Sequence, residues 1–146
     1  MIKIFNTDFE ISLRIMLILY VASTRMTSDR LTAIDFICTY GKDFNVSEYN
    51  LNGNNTYRFS EYVSRRLIVN SAIKNLVLSR NIKPHFNKTG FKYSISSEGT
   101  RMCESMNNEY AIEFMSIVKN SIAKFEEYSD RALTSIINEQ AISLLR

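Results

Sequence analysis

The sequence predicts a mainly α-helical chain that carries one small β-hairpin. Apolar residues recur at helical spacing along most of the chain, but between residues 82 and 95 their period changes to two. The turn sequence Asn87-Lys88-Thr89-Gly90 divides that stretch into two short strands. A long helix, a hairpin with a basic tip and another helix, in this order, are typical of a winged helix. We therefore predict a winged helix-turn-helix-like domain over residues 1–105 and a C-terminal helical hairpin over residues 106–146.

Composition indicates a compact globular protein. The chain has 146 residues, with 45% apolar and 23% charged, and only one Pro and four Gly, so it offers little material for linkers. Cys38 and Cys103 lack CxxC spacing and His85 is the single histidine, so Cys and His cannot supply four metal ligands. We expect no metal and no cofactor. Both cysteines are interpreted as core thiols of a cytoplasmic protein.

The first helix is expected to lie in the middle of the domain. Met1–Phe5 reads as an edge strand or an extended lead-in, and Thr7 and Glu10 fit a capping box. The helix should then run to about Ser23, and from Ile15 to Ala22 it is apolar all round. This run is far shorter than the roughly 20 residues of a membrane span, and acidic residues precede it, so we expect neither a signal peptide nor membrane insertion.

The second helix should begin after Thr27 and end at Gly41, a residue suited to the position after a helix. Asp35 lies among its apolar residues and is expected to bond to an Arg or to the end of a neighbouring helix. Lys42–Tyr57 is the only long irregular stretch, and Gly53 within it suits a left-handed conformation. Such a loop either binds something or simply bridges distance.

The third helix should start at Glu61 with Ser60 as its N-cap. Its core-facing stripe is formed by Val69, Ala72, Ile73 and Leu76. In the hairpin, one face should carry Ile82, Phe86, Phe91, Tyr93 and Ile95, and the other Lys83, His85, Lys92 and Ser94. Ser96 should cap a short fourth helix.

Two amphipathic helices follow. The first repeats apolar residues in a two-heptad seam: Ala111, Phe114, Met115, Val118, Ile122 and Phe125. The second, from about Ser129, repeats Leu133, Ile136, Ile137, Ala141 and Leu144. These two helices are free to pack back on the domain, to dimerise or to grip a partner.

Catalytic chemistry is not expected from this sequence. It contains no GxSxG, GxxxxGK[ST] or HExxH motif, and no acid–base pair at a meaningful spacing. His85 is more simply a surface residue of the hairpin than a general base, and both cysteines lie on apolar stripes. We therefore name no catalytic residue.

The charge distribution favours a polyanionic partner. Residues 1–103 contain 14 Lys and Arg against 8 Asp and Glu, whereas residues 104–146 contain 4 against 7. The candidate DNA-binding side chains on the third helix and the hairpin are Arg65, Arg66, Asn70, Lys74, Lys88 and Lys92. Two alternatives stay open: a modest solvated basic surface, or pairing of Arg65 and Arg66 with Glu61 or with another subunit.

Several stretches resemble a known family. They are FNTDFEISLRIMLIL at Phe5–Leu19, DRLTAIDFICTYGKDF at Asp29–Phe44, NLNGNNTYRFSEYVSRR at Asn50–Arg66, TGFKYSISSEG at Thr89–Gly99 and INEQ at Ile137–Gln140. Their order and spacing resemble the type 2 middle component of bacterial ABC-three-component systems, the small accessory subunit of Lamassu-type SMC defence complexes. The likeness extends over nearly the whole chain.

The resemblance implies a non-enzymatic accessory subunit of an SMC/Rad50-like ABC ATPase, acting with an effector, commonly a nuclease, against phage or plasmid DNA. The resemblance assigns no catalytic role to any residue of this chain. We expect the partner interface at Tyr57, Arg58, Phe59, Glu61, Phe114, Val118 and Ile122. The alternative is a free-standing transcriptional regulator that dimerises through its last two helices and reads a palindrome with its third. A structural adaptor without DNA contact is a further possibility.

Overall fold

The computed structural model of this chain describes residues 7–53 and 60–145. The elements are α1 (Asp8–Ala22), α2 (Ser28–Thr39), α3 (Glu61–Leu78), β1 (Ile82–Asn87), β2 (Gly90–Ile95), α4 (Ser97–Ser105), α5 (Glu109–Phe125) and α6 (Asp130–Leu145). The predicted mainly α class with one antiparallel hairpin is confirmed. The predictions for Met1–Phe5 and for Tyr57, Arg58 and Phe59 lie outside the described residues. Within the described ranges, no helix is both long and apolar enough to cross a membrane.

Side-chain caps fix the starts of most helices where the sequence predicts them. The hydroxyls of Thr7, Thr27 and Ser96 accept hydrogen bonds from the amides three residues later, at 3.0–3.1 Å. Asn108 does the same at α5 through its side-chain oxygen, at 2.9 Å. Ser60 occupies the N-cap position of α3, but its side chain does not make the predicted capping bond.

Helix α1 lies at the centre of the molecule, as its apolar composition predicts. Its residues Ile11, Ile15 and Ile18 are fully buried, and α1 packs against α2, α3, α4 and α5. Every residue of α2 from Leu31 to Thr39 is also buried. Because Arg14–Leu19 of α1 and Leu31–Thr39 of α2 are buried all round, both helices need cover on several sides, which explains why the remaining elements surround them.

The last two helices supply part of that cover. Helix α5 packs on α1 and α2, and α6 packs on α2. Their inward residues Phe114, Val118, Leu133 and Ile137 belong to the same hydrophobic core as α1. Of the three arrangements that the sequence left open, the structure therefore has the helices packed back on the chain. The domain boundary after residue 105 stays a prediction.

The hairpin has the predicted turn and faces. Ile82 pairs with Ile95 and Asn87 with Gly90, which puts Lys88 and Thr89 in the turn and Gly90 at a φ of +117°. Outside the hairpin, Met26 exchanges both backbone hydrogen bonds with Tyr93, at 2.9 and 2.8 Å. The segment between α1 and α2 thus lies on the outer edge of β2, where a third strand would pair.

Candidate interaction site on α3 and the hairpin

A buried cluster of charges ties α3 to α1 and α2. The guanidinium of Arg14 donates to both carboxylate oxygens of Asp35, at 2.6 and 3.1 Å. Arg65 donates to the same carboxylate at 3.4 Å, to Thr39 at 2.7 Å and to Glu61 one turn earlier. Arg14, Asp35 and Arg65 are almost fully buried. The expected bond from Asp35 to an arginine is confirmed, with two arginines as donors.

Arg65 therefore cannot contact DNA in this fold, and that prediction is wrong. Its guanidinium is only 1% exposed and lies over the Phe36 ring, 5.1 Å from the ring centre. The pairing with Glu61 that the sequence left open is the one observed.

Burial alone would lower the pKa of the Arg14 guanidinium beside Arg65, but the charge and hydrogen bonds of Asp35 outweigh burial and raise that pKa.

Two predicted partner-interface residues also belong to the interior. Phe114 and Val118 are fully buried, so both are core residues, and the prediction that they meet a partner is wrong. Ile122 is half-buried at the edge of the same core. Glu61 is half-buried and accepts hydrogen bonds from Arg65 and from the Tyr40 hydroxyl, so its carboxylate is engaged within the chain.

The other predicted residues of α3 are on its outer surface. Arg66, Asn70 and Lys74 are exposed, and Arg66 donates to Asp29 at 3.0 Å in a pair that is half solvent-accessible. Such an exposed pair contributes little to stability, so another anion can readily replace Asp29 as the partner of Arg66. Sequence reasoning missed the apolar residues on this surface: Val63, Leu67 and Leu78 are 70%, 71% and 76% exposed.

The hairpin has one basic face, which we call the basic face and define by Arg25, Lys83, His85 and Lys92. Arg25 precedes the residue paired with Tyr93, so strand alternation puts it beside His85 and Lys92. Partial desolvation, followed by the positive charges of Arg25 and Lys83, lowers the pKa of His85. Lys88 is exposed at the tip. Sequence reasoning did not select Arg25 or Lys83 as DNA contacts, although strand alternation places both on the same face as Lys92.

The opposite face of the hairpin and α3 enclose an open groove of about 450 Å³. Asn70, Lys74 and Leu78 line it from the helix, and Phe91 lines it from β2. Phe91 is 55% exposed and contacts Phe86, which is 74% exposed, with ring centres 5.0 Å apart. The groove thus has an apolar floor and a lysine on one wall.

The loop after α2 is held against α5 and α6 by side chains that reach its backbone. Asn120 donates to the Val46 carbonyl at 3.1 Å, and Lys124 donates to the Phe44 carbonyl at 2.8 Å. The Gln140 amide donates to the Asp43 carbonyl at 2.9 Å. Gly53 has the predicted left-handed conformation, with φ of +79°. The described part of this loop is therefore fixed to the C-terminal helices.

The two cysteines are buried, free thiols. Burial raises the pKa of the Cys38 thiol to about 12 and that of Cys103 to about 11, so both thiols are protonated at neutral pH. Among the residues that the structure describes, no group of three or more His, Cys, Asp and Glu is placed to hold a metal ion. What the surface presents is a basic face, a lysine-bearing tip and an apolar groove.

Comparison with known proteins agrees with the resemblance found in the sequence. Residues 4–146 match the family model described as ABC-three component (ABC-3C) system Middle Component 2. No curated protein and no solved structure matches the chain. Because the family model extends over almost the entire chain, it includes both the surface of α3 and the hairpin and the C-terminal helices that support them. The chain belongs to the Middle Component 2 family of ABC-three component systems.

Proposed function

We propose that this middle component is a non-enzymatic accessory subunit that works in the cytoplasm with an SMC/Rad50-like ABC ATPase and a nuclease-type effector. Its task would be defence against phage or plasmid DNA, in the manner of Lamassu-type complexes. Membership of the family supports a role inside a multi-component system. The ATPase class, the effector and the defence role extend that membership and rest on the resemblance of the sequence motifs.

The proposal includes direct DNA contact by the hairpin, and one observation carries it. Between Glu61 and Glu98 the chain has seven Lys and Arg and no Asp or Glu. Lys83, Lys88 and Lys92 of this stretch are exposed on the hairpin. Lysines on an exposed hairpin can approach DNA phosphates, and the hairpin itself carries no carboxylate that would repel them. The order of the elements also supports a winged-helix arrangement: α1, the segment of Met26 that pairs with β2, α2, α3 and then the hairpin.

The buried thiols support a non-enzymatic role, because a protonated, inaccessible thiol is a poor nucleophile. The alternative, a regulator that dimerises through its last two helices, loses its predicted interface. The seam residues Phe114, Val118 and Phe125 are buried in the chain's own core. An exposed two-helix seam for a second copy is therefore not available at these positions.

The first test is purification of the tagged protein from its native host at moderate salt, with identification of its partners by mass spectrometry. We expect a large SMC-like ATPase and an effector to co-purify in defined ratio. Elution as an isolated dimer that binds a palindromic sequence would refute the proposal and support the regulator.

The DNA contact is tested within that complex by charge reversal. Lys88→Glu with Lys92→Glu should weaken duplex DNA binding and lower the slope of log affinity against log salt by about one unit per lysine. Lys42→Glu is the control, because Lys42 is an exposed lysine of the loop that is held against α5 and α6. Contact by the hairpin would be refuted if the unchanged protein, the double variant and the control variant had equal DNA affinity and equal salt slope.

A further inference from the structure

We infer that the groove between α3 and the apolar face of the hairpin binds an acidic, amphipathic helix from another component of the same system. This inference rests on the proposed function, since it requires the chain to act as a subunit. It assigns the groove to a protein partner and leaves the basic face on the other side of the hairpin for DNA. Both surfaces could then be occupied at once.

An apolar row runs along the outside of α3. Val63, Leu67 and Leu78 differ by 4 and 11 residues, which places them within about 60° of one another around the helix axis. They extend over about 22 Å of helix, and each is at least 70% exposed. A row of this kind is typical of a face that packs against a second helix.

This apolar row continues onto the hairpin. Leu78 and Phe91 line the same groove, and Phe86 extends the apolar surface toward the tip. An added β-strand fits less well than a helix, because Pro84 lies within β1 and has no amide hydrogen to donate. The occupant is therefore a helix with apolar residues at i, i+3, i+4 and i+7.

The charges around the groove favour an acidic partner. Lys74 lies in the groove, in the gap between Leu67 and Leu78, and no acidic residue occurs in the sequence from 62 to 97. A helix with Glu or Asp beside its apolar stripe would pair with Lys74 and meet no like charge from this stretch. DNA is the weaker match for this surface, because protein–DNA interfaces are polar and would leave three exposed aliphatic side chains facing phosphates.

Site-specific cross-linking identifies the occupant. Benzoylphenylalanine is placed at Leu67 or Leu78 in the complex assembled from the co-expressed components, with Ile142 on α6 as an equally apolar, exposed control. We expect cross-links from both test positions, and none from the control, to one acidic helix of another component. Cross-links to DNA, to a second copy of this chain or to no component would overturn the inference.

Affinity measurements give an independent test. Leu67→Glu and Leu78→Glu should each weaken association with the purified partner component by about tenfold or more, mainly through faster dissociation. Lys74→Glu should weaken it by about threefold to tenfold, with the loss shrinking at high salt. Ile142→Glu should bind as the unchanged protein does, and equal far-UV circular dichroism should confirm that all variants fold.

The two proposals fail in different ways. If the unchanged protein forms no complex with the ATPase or effector, the accessory function and the docking site both fall. If the complex forms and Leu67→Glu and Leu78→Glu bind like Ile142→Glu, the accessory function stands and the docking site is refuted.

Discussion

Replacing Asp35 by Asn should destabilise the protein strongly. The carboxylate is completely buried, and each of its oxygens faces an arginine donor: Oδ1 faces Arg14 Nε, and Oδ2 faces Arg14 Nη2 and Arg65 Nη1. An asparagine can present only one oxygen. Its amide nitrogen must then point at a guanidinium N–H, whichever way the side chain is turned.

The expected size of the effect follows from the burial of the charges. Arg65 would keep Glu61 and Thr39 as acceptors, and Arg14 would keep the Tyr110 hydroxyl at 3.4 Å and the Glu10 carboxylate at 4.0 Å, but both guanidinium groups would lose the buried negative charge of Asp35. Removing one member of a buried ion cluster typically costs about 3–5 kcal/mol. At about 2–4 °C per kcal/mol for a chain of this size, the melting temperature should fall by roughly 10 °C.

Urea unfolding followed by circular dichroism measures this free energy. Asp29→Asn is the matched control, because it removes a carboxylate from the solvent-exposed pair with Arg66 and should cost about 1 kcal/mol or less. If Asp35→Asn cost no more than Asp29→Asn, the argument that the buried carboxylate holds two guanidinium groups in the core would be refuted.

A triple variant distinguishes two effects. One is the loss of the ion pairs with Asp35, and the other is the cost of leaving buried arginine charges without that carboxylate. Arg14→Met, Asp35→Leu and Arg65→Met together remove the three almost fully buried charges and leave the less buried carboxylates of Glu10 and Glu61. Apolar replacement of a buried ion cluster is often neutral or stabilising. We therefore expect the triple variant to be more stable than Asp35→Asn alone, and a larger loss would contradict the physical account.

Other predictions concern a close contact, two thiols and one imidazole. Gly99→Ala should cost about 2 kcal/mol or more in urea unfolding, because a Cβ at this position would lie 2.1 Å from the Asn81 carbonyl oxygen, which belongs to the backbone and cannot easily move. Cys38 and Cys103 should resist a thiol reagent at about pH 8 until the protein unfolds, because burial raises both pKa values. NMR titration of His85, the only histidine, should give a pKa below the ordinary 6.5, and duplex DNA should raise it; no change with DNA would argue against binding at the basic face. Because the folded-state pKa of His85 is lowered, its protonation should weaken folding as the pH drops below about 6.5, and His85→Gln should remove that dependence.

Local signals were sufficient to predict the order and type of the elements. Thr7, Thr27 and Ser96 are capping residues that act within three residues of themselves, so no knowledge of the tertiary structure is required to find them. The change of period at residue 82 and the turn at Lys88 and Thr89 define the hairpin in the same local way.

The candidate site was harder to predict because exposure depends on the packing of distant elements. Arg65 lies four residues before Val69 and seven before Ala72, which is the spacing of the buried stripe, so position alone indicated burial. Its charge suggested exposure, and only the carboxylate of Asp35 on another helix makes its burial tolerable.

The seam of α5 was misread for a related reason. Its apolar spacing indicates that Phe114 and Val118 are covered, but the pattern does not say whether the cover comes from the same chain or from a partner. The deciding observation is in α1 and α2, which are buried all round from Arg14 to Leu19 and from Leu31 to Thr39. They need the inward faces of α5 and α6, and those faces are not left for a partner.

This arrangement has a consequence for synthesis on the ribosome. Roughly 90 residues separate the end of α1 from the start of α5, which is about 5–20 s of translation at ordinary rates. During that interval α1 and α2 leave the ribosome without α5 and α6, which complete their cover. Their apolar surfaces are then open to chaperones or to aggregation, so the yield of folded protein depends on how soon α5 and α6 follow.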